Sequence, residues 1–184
     1  MKKLLLLLFF VPLFTLGQSD FASEFVFNNE FVDADKELTT NKLLEAYTTL
    51  ELSEAERREI YETYRQNFRL IVKKSSDDAS ENINIIKSEF TPSWELLDLL
   101  KSKKYRMLAE EFLPEGVSIE LLDSGIKTLY GKYTYLYLNN VTTKFNEEYY
   151  SNIYYISINK KNFQININTS SNLKLEDVIS YIKP

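Results

Sequence analysis

The chain has 184 residues, 44% of them hydrophobic and 27% charged, which fits one folded domain or one domain with a helical extension. It has no His and no Cys, so Ser-His-Asp and Cys-His catalysis, thiol redox chemistry, disulfides and the usual zinc sites are excluded. The formal net charge of −5 at pH 7, with no basic stripe, argues against nucleic acid and anionic membranes as partners.

Residues 1–17 have the pattern of a secretory signal peptide. Lys2 and Lys3 precede a short apolar run, and cleavage is expected after Gly17. The run is too short to span a bilayer comfortably, and no second run of membrane length follows. We therefore expect an exported, soluble bacterial protein of the periplasm or extracellular space, without a transmembrane segment once the signal is removed. Because no Cys lies near the cleavage position, a lipoprotein is not expected.

Residues 18–90 are predicted to be an N-terminal helical region. It opens with four phenylalanines within residues 19–35, whose spacing fits either a short helix or a strand. This segment either pins the mature N-terminus to the domain or acts as an aromatic docking peptide, and the sequence leaves both interpretations open.

Two amphipathic helices are predicted next, at residues 39–50 and 53–72. A threonine caps the first, and the second begins at a capping box formed by Ser53 and Glu56. Apolar residues recur in both at the three-to-four-residue spacing of a buried helix face. We expect the two helices to form a helical hairpin.

Residues 73–82 are polar and lack periodicity, which predicts a linker. Asp77 and Asp78 lie within it but lack the ligand spacing of a calcium loop, so no metal site is expected. The isoleucines that follow at 83, 85 and 86 begin the next element, either as a short strand or as coil.

The C-terminal region, residues 91–184, begins with three predicted helices. Thr91 is the expected N-cap of the first helix, with a proline at its first position. The predicted buried face of that helix consists of Trp94, Leu97 and Leu100. A polar break leads to a second helix, and the third is predicted at residues 118–130, stopped by Gly131.

Four strands are predicted after these helices, at residues 133–140, 151–158, 163–168 and 178–182. Residues 163–168 alternate between apolar and amide side chains, the pattern of a strand with one wet face. Both faces of residues 133–140 are suited to burial, so this strand is predicted to be central. The pattern favours an α+β fold with helices packed on a curved antiparallel sheet.

Residues 99–115, LLKSKKYRMLAEEFLPE, resemble the opening of small exported domains of the NTF2-like (cystatin-like α+β) superfamily, particularly the DUF3887 type. Residues 119–133 resemble the third helix of those domains, which ends on a turn like Tyr130-Gly131-Lys132-Tyr133. The chain departs from the pattern at Lys103 and Lys104, where a Gly-Asp break is usual. The resemblance covers roughly residues 91–184 and implies a sheet curled into a cone.

The candidate ligand-binding residues are aromatic. They are Trp94, Tyr133, Tyr135, Tyr137 and Tyr154. On a cone-shaped sheet they are predicted to line a pocket for a small apolar ligand with polar ends. The alternative is that the tyrosine rings pack across the strands and stabilise the sheet without forming a pocket.

The preferred function is an exported, non-enzymatic binding module whose ligand the sequence does not identify. The alternative is a protein–protein interaction or scaffold module of the cell envelope, either a homodimer through the sheet or a module docking an envelope protein. A carboxylate/Tyr enzyme is the third hypothesis, since the resemblance implies a Tyr/Asp pair and Asp123 and Asp177 lie in the matching half. Both are predicted to lie away from the tyrosines, so no catalytic residue, metal ligand or cofactor site is expected.

Overall fold

A computed structural model shows the fold and describes residues 21–34, 53, 55–56, 67–75, 81–110, 116–144 and 147–184. Strands predominate in these residues and form two antiparallel sheets, one of seven strands and one of two. Three short helices with defined bounds accompany them in the described part of the chain.

The strands and helices are numbered separately in chain order. The strands are β1 (Phe25–Phe27), β2 (Phe31–Asp33), β3 (Phe68–Lys73), β4 (Asn82–Ser88), β5 (Val117–Leu129), β6 (Tyr133–Lys144), β7 (Glu147–Ile158), β8 (Lys161–Thr169) and β9 (Ile179–Ile182). The helices are α1 (Trp94–Lys101), α2 (Lys103–Glu110) and α3 (Leu175–Val178). The large sheet has the order β2-β3-β4-β8-β7-β6-β5, and β1 pairs with β9 in the small sheet.

Strands β5 to β8 are consecutive neighbours in the large sheet. The turn between β5 and β6 places Tyr130 and Gly131 at φ of 51° and 66°, and the turn between β7 and β8 places Asn159 and Lys160 at 50° and 65°. Two consecutive positive φ angles match the natural twist of a tight hairpin, and Gly and Asn adopt them at little cost. These turns therefore fix the register of the strands that carry most of the core.

The inner face of the large sheet, defined by the buried residues Ile83, Ile85, Ile165 and Ile167, carries the main hydrophobic core. The small sheet and α3 cover this face: Phe25 of β1 packs edge-on against Phe163 of β8, with ring centroids 5.1 Å apart. The described N-terminal segment and the C-terminus therefore close one core together.

The outer face carries a second, smaller core. Leu96, Leu97 and Leu100 of α1 pack there against Leu136, Leu138 and Tyr155. Away from this helix the face is formed by half-buried amides, and Asn168 donates a hydrogen bond to Asn82 across β8 and β4 at 3.0 Å. The amide side of residues 163–168 thus lies opposite the isoleucine core, as the alternation predicted.

The predicted α+β class, with helices packed on an NTF2-like cone, is wrong for this chain, because the described residues are mostly β. The largest single error is the third helix, predicted at residues 118–130: residues 118–129 belong to β5, which pairs along its length with β6, and Tyr130 lies in the turn that follows. A β-bulge between Leu121 and Asp123 shifts the alternation by one residue, so Leu121 and Ile126 share the outer face while Leu129 enters the inner core. This shift imitates the apolar spacing of a helix.

The N-terminal helical hairpin is also wrong for the residues that the structure describes, which contain no such hairpin. Residues 68–72, predicted to end its second helix, lie in β3 and pair with both β2 and β4. The capping box is present, since the Glu56 amide donates to Ser53 Oγ at 3.3 Å and the Ser53 amide to Glu56 Oε2 at 2.8 Å. Apart from residues 53, 55 and 56, residues 39–66 lie outside the described part of the chain.

The four predicted C-terminal strands are present as β6, β7, β8 and β9. Residues 133–140 lie in β6, which has a neighbour on each side but is next to the end strand β5 rather than central. Residues 83–86 form part of β4, so the strand interpretation is confirmed and the coil interpretation is wrong. Within the described residues, no helix is both long enough and apolar enough to span a bilayer.

Candidate functional site

Four of the five predicted ligand-binding residues come together on the inner face of the sheet. Tyr133, Tyr135 and Tyr137 lie along β6, and Tyr154 lies opposite Tyr137 on β7. The ring of Tyr135 is 5.9 Å from that of Tyr154 and 6.2 Å from that of Tyr137, measured between centroids. All four side chains are buried, and we call them the tyrosine row.

Trp94, the fifth predicted residue, is separated from the tyrosine row. It begins α1 on the outer face of the sheet, and 64% of its surface is exposed. The helix is capped one residue earlier by Ser93, not by Thr91 as predicted, because the Ser93 hydroxyl accepts from the Leu96 amide at 3.1 Å. The buried face of α1 is therefore Leu96, Leu97 and Leu100, and Trp94 points away from it.

Three hydroxyl groups of the tyrosine row, those of Tyr135, Tyr137 and Tyr154, donate hydrogen bonds to neighbouring side chains. Tyr135 donates to Glu176 of α3, Tyr137 donates to Asp123 of β5 at 3.1 Å, and Tyr154 donates to Asn139 at 3.4 Å. Burial raises the pKa of Tyr135, and the hydrogen bond to Glu176 raises it further. Burial also raises the pKa of Tyr137, with Asp123 adding to the effect, so these hydroxyls are fixed as neutral donors.

Asp123 lies on β5 beside the tyrosine row, not away from the tyrosines as predicted. The ring of Tyr137 rests over Gly125, where an added Cβ would come within 3.0 Å of the tyrosine oxygen, and the Lys127 ammonium lies 4.7 Å from the ring centroid. The close approach favours glycine at this position, and the cation over the ring adds a favourable contact. Tyr137 is thus held on both sides, and its hydroxyl reaches Asp123.

Asp177 has a different role. Its carboxylate accepts the Lys174 amide at 2.7 Å at the start of α3, and its carbonyl accepts from the Asn28 side chain at 2.7 Å. These contacts tie α3 to the N-terminal segment, and Asp177 makes no hydrogen bond to the tyrosine row in the described part of the chain. The two predicted acidic candidates are therefore not brought together.

A half-open cavity of about 520 Å³ lies between the small sheet and the edge of the large one, and we call it the N-terminal cavity. Its apolar wall consists of Phe21, Phe25, Val26, Phe27, Phe31, Val32 and Ile71. Its polar lining consists of Ser23, Asp33, Arg69 and Lys183. Buried Phe25, Phe31 and Ile71 form a floor that belongs to the main core, and the other residues line the walls and rim.

Arg69 of β3 organises this cavity. Its guanidinium donates to both carboxylate oxygens of Asp33, at 2.6 and 3.0 Å, and to the backbone oxygens of Ala22 and Phe25, at 2.8 and 3.1 Å. It also lies 5.5 Å from the centroid of the Phe27 ring. A planar fork that reaches four acceptors fixes the N-terminal segment against the sheet edge.

Sequence reasoning did not identify this cavity. The only sequence feature that could have indicated it is the high number of phenylalanines within residues 19–35. In the structure this segment contains strands β1 and β2 and not a helix. Arg69 and Lys183 are not part of any sequence motif. They come together only when β1 pairs with β9 and β2 pairs with β3, so the sequence alone did not indicate them. Among the described residues, no group of three acidic side chains could hold a metal ion.

No family model matches this sequence, and a search of curated proteins finds no match either. The similarity of residues 91–184 to NTF2-like domains of the DUF3887 type stays a prediction.

Proposed function

We propose that the protein is an exported, non-enzymatic binding module that holds a small apolar ligand in the N-terminal cavity. The observation that carries the proposal is the cavity itself, whose volume of about 520 Å³ is in the usual range for small-molecule sites. Phenylalanine side chains and polar groups share the lining of this cavity. This combination suits a ligand that buries an apolar body and keeps one polar end near water.

In our proposal the tyrosine row is part of the packed core and is not the ligand site. Its rings are packed in the main core, and Leu175 and Val178 of α3 belong to the same cluster. A ligand could contact Tyr135 only after Glu176 and α3 moved away, which would break a hydrogen bond and expose apolar surface. The ligand-binding role predicted for the tyrosines and Trp94 stays a competing hypothesis.

A fluorescence titration with the neutral apolar probe N-phenylnaphthylamine tests the proposal on residues 18–184. We expect saturable binding, weakened roughly five- to tenfold by Phe27→Ala, because Phe27 is a half-buried wall residue whose loss removes apolar contact. Ser23→Trp, which places a large ring at the wall without removing a core side chain, is expected to weaken binding as well. Thermal unfolding of each variant reports whether it has folded.

Trp94→Ala is the matched aromatic control, since Trp94 lies on the opposite face of the sheet. We expect it to leave probe binding unchanged. Loss of binding in Trp94→Ala with full binding in Phe27→Ala and Ser23→Trp would contradict the cavity and favour the originally predicted aromatic site.

One observation supports the interaction module as a second candidate. In the described part of the chain β5 ends the large sheet, and it carries the exposed apolar residues Ile119 and Leu122. An end strand with exposed apolar residues can pair with another chain, here a second copy. Size-exclusion chromatography with light scattering would show a dimer that Leu122→Lys converts to a monomer; a monomer at all concentrations would remove this candidate.

A further inference from the structure

The N-terminal cavity has an uneven distribution of charge, which bears on the polar end of its ligand. Its lining contains three charged residues, Asp33, Arg69 and Lys183. The inference drawn from them rests on the proposed function, because it concerns the ligand of the same cavity.

Arg69 and Asp33 neutralise each other. Two guanidinium nitrogens contact the two carboxylate oxygens at 2.6 and 3.0 Å, and the remaining terminal nitrogen donates to two backbone oxygens. A bidentate pair of this kind is geometrically specific and leaves the arginine little capacity for another anion. Arg69 therefore shapes the cavity and does not supply its free charge.

Lys183 supplies the free charge. Its backbone amide donates to the Glu24 carbonyl at 2.8 Å, which fixes the residue after β9 beside β1. The Glu24 carboxylate accepts from Lys161 at 2.7 Å instead of from Lys183. The Lys183 side chain is exposed and forms no ion pair with any described residue, so it is an unpaired positive charge among the lining residues that the structure describes.

We infer that the cavity takes an amphiphile with an apolar body and a single anionic end, such as a medium-chain carboxylate, whose anionic group contacts Lys183. The apolar body would lie against the half-buried lining residues Phe21, Val26 and Phe27, and the carboxylate at the rim where Lys183 lies. In a chain that is acidic overall, a local positive charge beside an aromatic wall selects this ligand charge over the opposite one.

The test compares three ligands with the same apolar chain and different end groups: decanoate, decanol and decylammonium. Each displaces bound N-phenylnaphthylamine from residues 18–184 at near-neutral pH and low ionic strength. We expect decanoate to bind about three- to fivefold more tightly than decanol, the size expected for one partly exposed ion pair, and added salt to reduce the difference.

Lys183→Gln is expected to remove the preference for decanoate, and Lys183→Glu to turn it into a preference for decylammonium. Lys101→Gln, which removes an exposed lysine of α1 outside the cavity lining, is the matched control and is expected to keep the preference. Unchanged affinity of both Lys183 variants for the neutral probe shows that the cavity remains intact.

The two levels of the proposal fail in different ways. If decanoate and decanol bind equally and Lys183→Glu changes neither, the anionic end is wrong while the cavity remains a binding site. If the neutral probe and all three ligands fail to bind the unmodified protein, the proposed function is wrong and the inference falls with it.

Discussion

Two aromatic regions belong to the same core on the inner face of the large sheet. The tyrosine row lies in the middle of paired strands, with its rings buried and three of its hydroxyls bonded to neighbouring side chains. The N-terminal cavity lies where the small sheet meets the edge of the large one, and its phenylalanines leave about 520 Å³ unfilled. The first region is closed and the second is open.

The difference shows how each region is assembled. Neighbouring strands place side chains about 5 Å apart on one face, so aromatic residues in register fill the space between them. At the junction of two sheets the spacing is set by backbone pairing elsewhere, here β1 with β9 and β2 with β3, and by the Arg69 contacts. A gap can persist at such a junction even when aromatic residues surround it.

The largest expected effect is that of Tyr135→Ala, which tests whether the tyrosine row is part of the core. Tyr135 is 2% exposed and its ring contacts two other tyrosines, so we expect a loss of about 3–5 kcal/mol in the free energy of unfolding. Urea denaturation measures the loss. Tyr181→Ala, at an exposed position, is the control and should stay within about 0.5 kcal/mol. A stable Tyr135→Ala protein that loses only ligand binding would show that the tyrosine row is a site after all.

Alkaline unfolding tests whether the tyrosine row is closed to water. Burial raises the pKa of Tyr135, Tyr137 and Tyr154 in the folded protein above the value of about 10 that applies when unfolded. Below about pH 10 the protonated hydroxyls make their full contribution to the free energy of unfolding. Above about pH 10 that contribution declines, because the tyrosines of the unfolded chain lose their protons at lower pH than those of the folded protein. Stability is therefore expected to fall as pH rises above about 10, and less steeply in Tyr135→Phe. Titration of these tyrosines at an ordinary pKa without unfolding would contradict their closed environment.

Arg69→Lys tests the open region. The Arg69 side chain is mostly buried, and lysine cannot reproduce its fork to Asp33 and two backbone oxygens. We expect a loss of about 1–3 kcal/mol in unfolding free energy, together with weaker binding of N-phenylnaphthylamine. Asp33→Asn is the milder companion, because Asp33 is largely exposed. Unchanged probe binding in Arg69→Lys would mean that this residue does not shape the cavity.

The smallest expected effect is that of Tyr137→Phe. It removes one hydrogen bond to Asp123, which is exposed and can be solvated by water instead. A loss of about 0.5–1.5 kcal/mol in unfolding free energy is expected, with no change in probe binding. A marked loss of probe binding would link the tyrosine row to the ligand and remove the distinction between the two regions.

The sequence predicted the strands of the core well, because their signal is local. Alternation in residues 163–168 and the aromatic and β-branched runs at 133–140 and 151–158 are strand patterns, and each lies in the expected strand. The same reasoning failed for residues 118–130, because the bulge after Leu121 gave an apolar spacing that also fits a helix. For residues 68–72, pairing with β2 and β4 overrode a helix period.

Less of the candidate site than of the sheet could be predicted from the sequence. The sequence grouped the tyrosines of β6 and β7 as candidate lining residues, and the structure places them together on one face, while their role as a ligand site stays a prediction. The cavity depends on contacts between residues far apart in the chain, such as the Arg69 bonds to Ala22 and Phe25. No local pattern encodes such contacts, and Trp94 was placed with the tyrosines only because it shares their chemistry.

The central claim is that the N-terminal cavity is open to a ligand while the tyrosine row is closed. The most direct measurement is a crystal structure of residues 18–184 grown with N-phenylnaphthylamine. The account predicts electron density for the probe against Phe21, Val26 and Phe27, with the Tyr135 hydroxyl still bonded to Glu176. Density for the probe between the tyrosine rings, with α3 displaced and the N-terminal cavity empty, would contradict it.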